Sequence, residues 1–358
     1  MKILVISNMY PSRKDPVYGT FVESFVNQLT SLNGEKDTKT VVLKGRSSNS
    51  LCKYGKYLIF YIRIIINLII NNYDLIYVHT ITYPIPPIRI ARLFKILPLV
   101  FNVHGGDVIT RSKTATKLKH KSIPLLREAK LIVSPSFYFK EILLKEFDFL
   151  CEEKIFVSPS GGIDSSFYNS SISKKQDNTF TVGYVSRIDE AKGWDIFIKA
   201  VSILIKNNIG VKAIIAGRGN QTSIMNKMIA ELSLNDYIEY IGPIPYNNLP
   251  QVYSLLDLFV FPTELNESLG LVGLEAMACK VPVIGSNIGG LKDYIIPNYN
   301  GFFFNVGNYN DLANKIITYI SLSTEEKKII ENNAYKTALT YSSEKTKYDL
   351  YSKLNHII

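Results

Sequence analysis

Short runs of apolar residues alternate along most of the chain with longer segments in which apolar positions recur at the spacing of a helix. The alternation forms two series, one beginning with KILVIS at residues 2–7 and the other with FTVGYVS at residues 180–186. This pattern is typical of parallel sheets whose strands are joined by crossover helices. The two series predict an α/β fold of two Rossmann-like domains. Their parallel sheets are expected to face a central cleft, because open parallel sheets bind ligands beyond the carboxyl ends of their strands.

Each series predicts a set of strands and helices. The first contains a helix over 20–32, strands over 40–43 and 75–79, an apolar helix over 57–70, a helix after Pro87, and strands over 99–104 and 131–136. The second contains helices from Trp194 and Thr222, strands over 211–217, 237–242, 256–262 and 281–286, and a helix before the last of these strands.

The two series are separated at FVSPSGGID, residues 156–164, and the polar run over 169–178 has the composition of a linker. We therefore expect an N-terminal domain over 1–163 and a C-terminal domain over 164–340. A final helix within 341–358 is expected to pack back on the first domain.

Composition agrees with a two-domain globular protein, since 358 residues exceed what one hydrophobic core usually spans and 46% of them are apolar. Cys52, Cys151 and Cys279 are scattered, which favours neither a disulfide framework nor a zinc site and indicates a reducing compartment. The apolar run at the N-terminus is too short for a signal peptide. A cytoplasmic location is therefore expected.

Positive charge is concentrated in the first part of the chain. Residues 1–160 contain 23 Lys or Arg and 12 Asp or Glu, whereas residues 161–358 contain 18 and 19. Such a balance favours nucleic acid, an anionic membrane or an anionic substrate as partner. No helix-turn-helix, zinc-finger or RNP pattern accompanies the charge, so no nucleic-acid partner is expected.

The most apolar run, YLIFYIRIIINLII at 57–70, has two interpretations. Its 14 residues, with Arg63 and Asn67 among them, fall short of the ~20 needed to cross a bilayer. The favoured interpretation is a buried helix with those two residues on its wetter side. The alternative is a peripheral contact with an anionic membrane at the cytoplasmic face, supported by a basic cluster further along the chain. That cluster consists of Arg111, Lys113, Lys117, Lys119 and Lys121.

Candidate chemistry is densest over 262–290, PTELNESLGLVGLEAMACKVPVIGSNIGG, where Glu267 and Glu275 stand eight residues apart. Ionised carboxylates are natural acceptors for the vicinal hydroxyls of a sugar, so one glutamate suits a hexose and the other a ribose. Between them a helix is expected to begin, and its first free N–H groups would hold a diphosphate. Those groups belong to Ser268, Leu269, Gly270 and Leu271.

This stretch resembles the E-x7-E motif of glycosyltransferase family 4, retaining enzymes of the GT-B fold, including the EAMAC helix, the PVI strand and the NIGG turn. The resemblance implies that Glu267 contacts the donor sugar, that Glu275 contacts the nucleotide ribose and that N–H groups near Gly270 hold the distal phosphate. It also implies that the N-terminal domain binds the acceptor and the C-terminal domain the donor. The chain has Lys280 where the family has Gly, and Arg218 where the family tends to be acidic.

A second motif, GYVSRIDEAKGWDIFIKA, places Arg187 and Lys192 directly after a strand, where ligands of parallel sheets bind. Two cations there suit a diphosphate, although such loop charges are commonly only solvated. The resemblance implies that both neutralise the phosphates of the donor. The chain contains no D-x-D motif, so we expect no metal site and no cofactor besides the nucleotide-diphosphate sugar, which is the donor substrate.

Two positions of the N-terminal domain complete the expected site. Gly19 begins a helix, and the resemblance implies that it admits the donor phosphate or sugar. His104 follows a strand and precedes two glycines, and the resemblance places it near the donor sugar without the role of a general base. Asp107 is expected either to meet the acceptor or to stabilise a turn, and His79 to be structural.

These features and the resemblance together imply a retaining hexosyltransferase that uses a UDP- or GDP-linked sugar and no metal. Its acceptor is expected to be a growing, lipid-linked surface glycan of the capsule, O-antigen or exopolysaccharide type. The alternatives are a nucleotide-sugar-binding protein without transfer activity and an epimerase of the same fold.

Overall fold

The computed structural model describes residues 1–15, 18–46, 49–168 and 179–357. The chain divides into two compact units. Unit 1 comprises Met1–Gly162 together with Lys345–Ile358, and unit 2 comprises Ile163–Glu344.

Unit 1 is built on a parallel sheet of six strands with the order β2-β1-β3-β4-β5-β6. The inner strands of the sheet are mainly consecutive runs of buried residues, as expected of a sheet covered on both faces. The six strands are β1 Ile3–Tyr10, β2 Thr38–Lys44, β3 Leu75–His79, β4 Leu99–Asn102, β5 Leu131–Ser134 and β6 Ile155–Val157.

Helices cover both faces of this sheet. They are α1 Thr20–Asn33, α2 Ser50–Ile70, α3 Ile85–Ala91, α4 Lys113–Glu128, α5 Phe137–Glu146 and, from the end of the chain, α12 Ser343–His356. One apolar core joins the sheet to α2, α3, α4 and α5. A separate core on the other face joins it to α1 and to Leu350 and Leu354 of α12.

Unit 2 repeats the architecture with a parallel sheet of order β12-β11-β10-β7-β8-β9. Its strands are β7 Phe180–Val185, β8 Val211–Ala216, β9 Ile238–Gly242, β10 Leu258–Phe261, β11 Val283–Ser286 and β12 Gly301–Phe304. Its helices are α6 Trp194–Lys206, α7 Thr222–Glu231, α8 Leu249–Ser254, α9 Leu271–Ala278, α10 Tyr309–Ile320 and α11 Thr324–Leu339. The two Rossmann-like units predicted from the alternating pattern are thus confirmed.

Two sequence predictions about helices need correction. The helix expected after Pro87 begins earlier, at Ile85, because its prolines occupy the first turn, where a missing N–H is tolerated. The apolar helix is longer than the run that revealed it, since α2 extends over Ser50–Ile70. The predicted linker at 169–178 lies outside the described residues.

The expectation that α2 is buried is also wrong. Phe60, Ile64 and Leu68 form a buried stripe against the sheet, but Leu58 is 63% exposed and Ile62 is 46% exposed. Residues four apart lie on one face of a helix, so α2 carries two apolar stripes on opposite faces. None of the described helices is long and apolar enough to cross a membrane.

The basic cluster predicted from the sequence is not a uniform surface. Lys119 is buried, and its ammonium group donates to the Val108 carbonyl and to the Glu146 carboxylate at 2.5 Å. Burial of a cation requires such partners, so this lysine holds α4 against α5. Lys119 therefore cannot contribute to a membrane contact.

Candidate functional site

The loop between β10 and α9 carries Glu267. Its Oε1 atom accepts a hydrogen bond from the Lys192 ammonium at 2.7 Å and another from the Thr263 hydroxyl at 3.0 Å. The Lys192 side chain is 11% exposed and that of Glu267 18%. The structure therefore brings together two of the residues predicted from separate motifs, and it fixes the carboxylate from two directions.

Glycines give this loop its shape. Gly270 has φ 85° and its missing side chain leaves room for the Phe261 ring, which a Cβ atom would approach to 2.8 Å. Gly290 lies against the same loop, and its N–H donates to the Glu267 carbonyl at 2.8 Å. A side chain there would collide with the backbone of Ser268 and Leu269. The NIGG turn thus supports the backbone on which Glu267 is placed.

Helix α9 begins at Leu271, with Gly270 as its N-cap. The sequence prediction counted Ser268, Leu269 and Gly270 among the first N–H groups of the helix, but these residues belong to the preceding loop. Within the described residues, the N–H groups of Leu269, Gly270 and Leu271 donate to no protein acceptor. An anion could still be held by these groups together with the positive end of the helix.

Arg187 and Lys192 lie in the loop between β7 and α6, as predicted. The hydroxyl of Tyr184 donates to the carbonyls of both residues, at 3.1 and 3.3 Å. Arg187 is 70% exposed and pairs with Asp189 at 2.8 Å. An exposed ion pair of this kind is worth little, so the guanidinium is free to take another anionic partner.

This loop also contacts the loop that carries Glu267. The Glu264 N–H donates to the Ala191 carbonyl at 2.9 Å. Gly193 has φ 76°, and a Cβ atom there would lie 1.8 Å from the Pro262 carbonyl oxygen. Close approach of the two backbones is what places Lys192 beside Glu267.

Glu275 lies in α9 and is 5% exposed. Its Oε2 atom accepts a hydrogen bond from the Tyr253 hydroxyl at 3.2 Å. Burial raises the pKa of Glu275 to about 7, and the hydrogen bond from Tyr253 opposes that rise. The carboxyl group therefore titrates near neutral pH.

This pKa gives a prediction about stability. A native pKa of about 7 against an ordinary value of 4.5 corresponds to about 3 kcal/mol of stability. That contribution is present below pH 4.5 and is lost as the pH rises through 7, because only the unfolded state ionises readily between those values. Glu275→Gln removes the titration, so the variant should gain stability relative to the native chain between pH 4.5 and 8.

Chemical denaturation of both proteins at several pH values tests this prediction. Glu264→Gln is the control, because Glu264 is exposed. A stability difference between the Glu275 variant and the native chain that does not change with pH would contradict the raised pKa.

In unit 1, Gly19 caps α1 with φ 77°, as the predicted helix start requires. A Cβ atom there would lie 2.6 Å from the backbone of Met9 and Tyr10. The packing of α1 against the end of β1 therefore requires a glycine here, whether or not the donor also approaches it.

His104 and His79 form a hydrogen-bonded pair in unit 1. Nε2 of His104 lies 2.9 Å from Nδ1 of His79, and the rings are nearly parallel. Burial lowers the pKa of His104 to about 3, and burial and the neighbouring ring lower that of His79 well below its usual range. Both rings are neutral at physiological pH, so His104 can offer a hydrogen bond but not a positive charge.

Asp107 is buried and stabilises the turn after β4. Its two carboxylate oxygens accept from the N–H groups of His104 at 2.9 Å and Ile81 at 3.1 Å. Of the two interpretations of this residue, the geometry favours the turn over an acceptor contact.

A separate polar pocket lies in unit 1 beside the carboxyl ends of β1 and β2. Its lining combines amide, phenol and basic side chains. These include Asn8, Tyr18, Arg46, Lys53, Lys56 and Tyr57. Arg46 is held by a bidentate pair with Asp15, at 2.8 and 3.0 Å. The sequence analysis did not identify this pocket, because its residues come from five separate segments of the chain.

Two family models match the chain. Residues 168–337 match the model described as glycosyl transferases group 1, and residues 25–165 match the model described as glycosyltransferase family 4. The first match contains Arg187, Lys192, Glu267 and Glu275, and together the two cover most of the chain.

A relative and two solved structures agree with this result. The capsular polysaccharide biosynthesis glycosyltransferase CapM of Staphylococcus aureus is 27% identical over 194 residues, which are 54% of this chain and half the length of CapM. The crystal structure of HepE from Anabaena in complex with UDP has a TM-score of 0.78 at 21% identity, covering 99% of this chain and 100% of HepE. Sucrose-phosphate synthase of Thermosynechococcus elongatus has a TM-score of 0.78 at 16% identity, covering 100% and 99%.

At these identities the structural likeness establishes the fold, which is GT-B as predicted. The family predicted from the E-x7-E motif is confirmed by the two models. The chain belongs to the family 4, group 1 glycosyltransferases.

Proposed function

We propose that this protein transfers a hexose, with retention of configuration, from a nucleotide-diphosphate sugar to a growing lipid-linked surface glycan. The observation that carries the proposal is the pairing of Lys192 with Glu267 beside the start of α9. This region brings together a carboxylate suited to sugar hydroxyls, a cation and the N–H groups at the start of α9. That combination suits the hexose and the diphosphate of a single ligand.

The diphosphate is held by charges of unit 2. Lys192 is oriented by Glu267 and carries hydrogens that can reach a phosphate oxygen as well. Arg187 exchanges its weak exposed pair with Asp189 for a bidentate contact with a phosphate. These cations take the place of a bridging metal, so the reaction proceeds without one.

Glu275 binds the ribose of the nucleotide. Its Oε2 atom is held by Tyr253, and among the described residues its Oε1 atom has no hydrogen-bond partner. A carboxylate oriented in this way can accept hydrogen bonds from vicinal hydroxyls. Binding of the diol stabilises the ionised form, so the nucleotide should lower the pKa of this group.

The chemical step depends on the leaving group. As the bond between the sugar and the phosphate breaks, negative charge grows on the phosphate oxygens. Preorganised cations and N–H groups directed at that charge contribute roughly 3 kcal/mol each. Neutral His104 positions the sugar and takes no proton, and the leaving phosphate accepts the proton of the acceptor hydroxyl in a front-face substitution.

The acceptor is proposed to be an anionic glycan carrier of the capsule, O-antigen or exopolysaccharide type. The similarity to CapM supports a surface polysaccharide. The basic pocket with Arg46, Lys53 and Lys56 supports an acceptor with a phosphate group. Such an acceptor would also explain why the excess of positive charge is confined to the first part of the chain.

Thermal shifts with a panel of UDP- and GDP-linked sugars test the donor. A ligand at a hundred times its dissociation constant stabilises the native state by about 2.7 kcal/mol. UDP-glucose is the first candidate, because HepE, which has a similar fold, was crystallised in complex with UDP and with UDP-glucose. The stabilisation should be the same with and without EDTA, and a shift only with added magnesium or manganese would contradict the metal-free site.

Product analysis with the donor that binds distinguishes transfer from epimerisation and from binding without reaction. Release of free nucleotide from the matching donor, accelerated by a glycan acceptor, supports transfer. Conversion of the donor to an isomeric nucleotide sugar would indicate an epimerase. Binding without any product would indicate a protein that only binds nucleotide sugars.

A further inference from the structure

Helix α2 presents an unpartnered apolar face. Beside the buried stripe that contacts the sheet, a second stripe recurs at intervals of three and four residues along the opposite side. Its members are Leu51, Tyr54, Leu58, Ile62, Ile66 and Ile70, all of them exposed. The stripe extends over about 29 Å, the length of the helix between its first and last members. We call it the outer face of α2.

The apolar surface continues past the end of α2. Leu93 and Ile96, in the turn between α3 and β4, are 81% and 86% exposed. Lys95 joins this turn to the residues that follow α2, because its ammonium donates to the Asn71 carbonyl at 2.6 Å and to the Asn72 side chain at 2.5 Å. Contiguous apolar surface of this extent marks a binding site in a protein that folds in water.

The positive charge around this face indicates an anionic partner. Residues 50–128, which contain α2, α3 and α4, include twelve Lys or Arg, of which Lys119 is buried, and three acidic residues. All three acidic groups are occupied, since Asp74 accepts from the backbone N–H of Lys2, Asp107 holds the turn after β4 and Glu128 pairs with Arg92. On α2 itself, Lys56 and Arg63 lie roughly 100–120° around the helix from Ile62, along one margin of the outer face.

A second copy of the chain is a poor partner for such a surface. A symmetric dimer would bring the same basic face of each copy together and leave its positive charges opposed. An apolar stripe bordered by lysine and arginine instead matches the boundary between the acyl chains and the headgroups of an anionic bilayer.

We propose that the outer face of α2, together with Leu93, Phe94 and Ile96, inserts into the interface of an anionic membrane. The helix lies in the plane of the membrane, with its apolar stripe in the acyl boundary and Arg63 at the phosphates. The inference extends the proposed function, because it places unit 1 on the surface where a lipid-linked acceptor would be found.

The mode of binding differs from attraction by charge alone. Salt screens contacts between lysine or arginine and lipid phosphates, but it does not weaken burial of apolar side chains. Binding to anionic vesicles should therefore fall at high salt without being abolished. It should also be much weaker on neutral vesicles, where the charge contribution is lost.

The test uses the full chain and sedimentation with vesicles of phosphatidylglycerol and phosphatidylcholine, or of phosphatidylcholine alone. The variant Leu58→Gln/Ile62→Gln/Ile66→Gln removes the centre of the outer face, and its three positions are exposed, so folding should be retained. The matched control is Ile224→Gln/Ile329→Gln, because these isoleucines of unit 2 are 57% and 59% exposed. A thermal unfolding curve like that of the native chain, recorded without ligand, shows that each variant is folded.

The triple variant is expected to bind anionic vesicles at least tenfold more weakly than the native chain, and the control is expected to bind as the native chain does. Native-like binding by the triple variant, or equal binding of the native chain to neutral vesicles, would overturn the proposal. So would light scattering that shows a dimer dispersed by the triple variant, since a second copy would then cover the face. The readout is binding to lipid, so a negative result leaves the glycosyl transfer reaction untouched.

Discussion

Glu267→Gln should reduce hexosyl transfer by about a thousandfold while leaving the affinity for free nucleotide diphosphate within a few-fold of the native value. The carboxylate is oriented by Lys192 and Thr263 at 2.7 and 3.0 Å, so it offers a fixed acceptor to the sugar hydroxyls. A neutral amide keeps the shape but replaces one acceptor oxygen with a donor, and it no longer balances the lysine charge. Turnover is measured by nucleotide release, and affinity by calorimetry.

Glu264→Gln is the matched control, since Glu264 lies in the same loop and is exposed. It should transfer sugar at the native rate. Transfer near the native rate by the Glu267 variant would show that this carboxylate does not contact the sugar in the reaction.

Lys192→Ala is expected to lower both turnover and nucleotide affinity, turnover by about a hundredfold or more. The ammonium group is almost buried and lies beside the loop whose free N–H groups would hold the phosphate. Its removal deletes a phosphate contact and also leaves Glu267 without its charge partner. The loss of nucleotide affinity separates this variant from Glu267→Gln, which should lose only turnover.

Lys199→Ala provides the control, because Lys199 is a more exposed lysine of the following helix and pairs with Asp195 four residues before it. Arg187→Ala should lie between the control and Lys192→Ala, since Arg187 is exposed until a phosphate is bound. Native affinity for the nucleotide in Lys192→Ala would mean that this lysine serves only to hold Glu267.

The sheets were the most predictable part of the fold. Buried parallel strands are continuous apolar runs, so LIYVH was predicted at the residues where β3 occurs. Strand β12, which lies at the edge of its sheet, and helices α10 and α11 were not predicted. Strand β12 is only four residues long and α11 is largely polar, but α10 has a regular apolar face that was overlooked. Helix α2 was predicted, but it was expected to be buried. Periodicity shows that a face is apolar, but it does not show whether another element covers that face.

For the candidate site, the sequence indicated which residue types matter but not which of them meet. Glu267 and Lys192 are 75 residues apart, and no local rule pairs them. Thr263 and Tyr253, which orient the two glutamates, lacked a recognisable signal, because a hydroxyl acts there only through its position in space. Lys119 shows the opposite failure, since a lysine in a basic run was taken to be on the surface.

Helix α12 makes unit 1 discontinuous along the chain, with consequences for its synthesis. Leu350 and Leu354 share a core with Ile3 and Val5 of β1, and the Tyr351 hydroxyl donates to Asn33 of α1. The ribosome makes these partners of the first strand only after it has made the whole of unit 2. Although synthesis of unit 1 begins first, unit 2 can therefore be completed earlier during translation. One face of the unit 1 sheet stays partly uncovered until α12 has been synthesised.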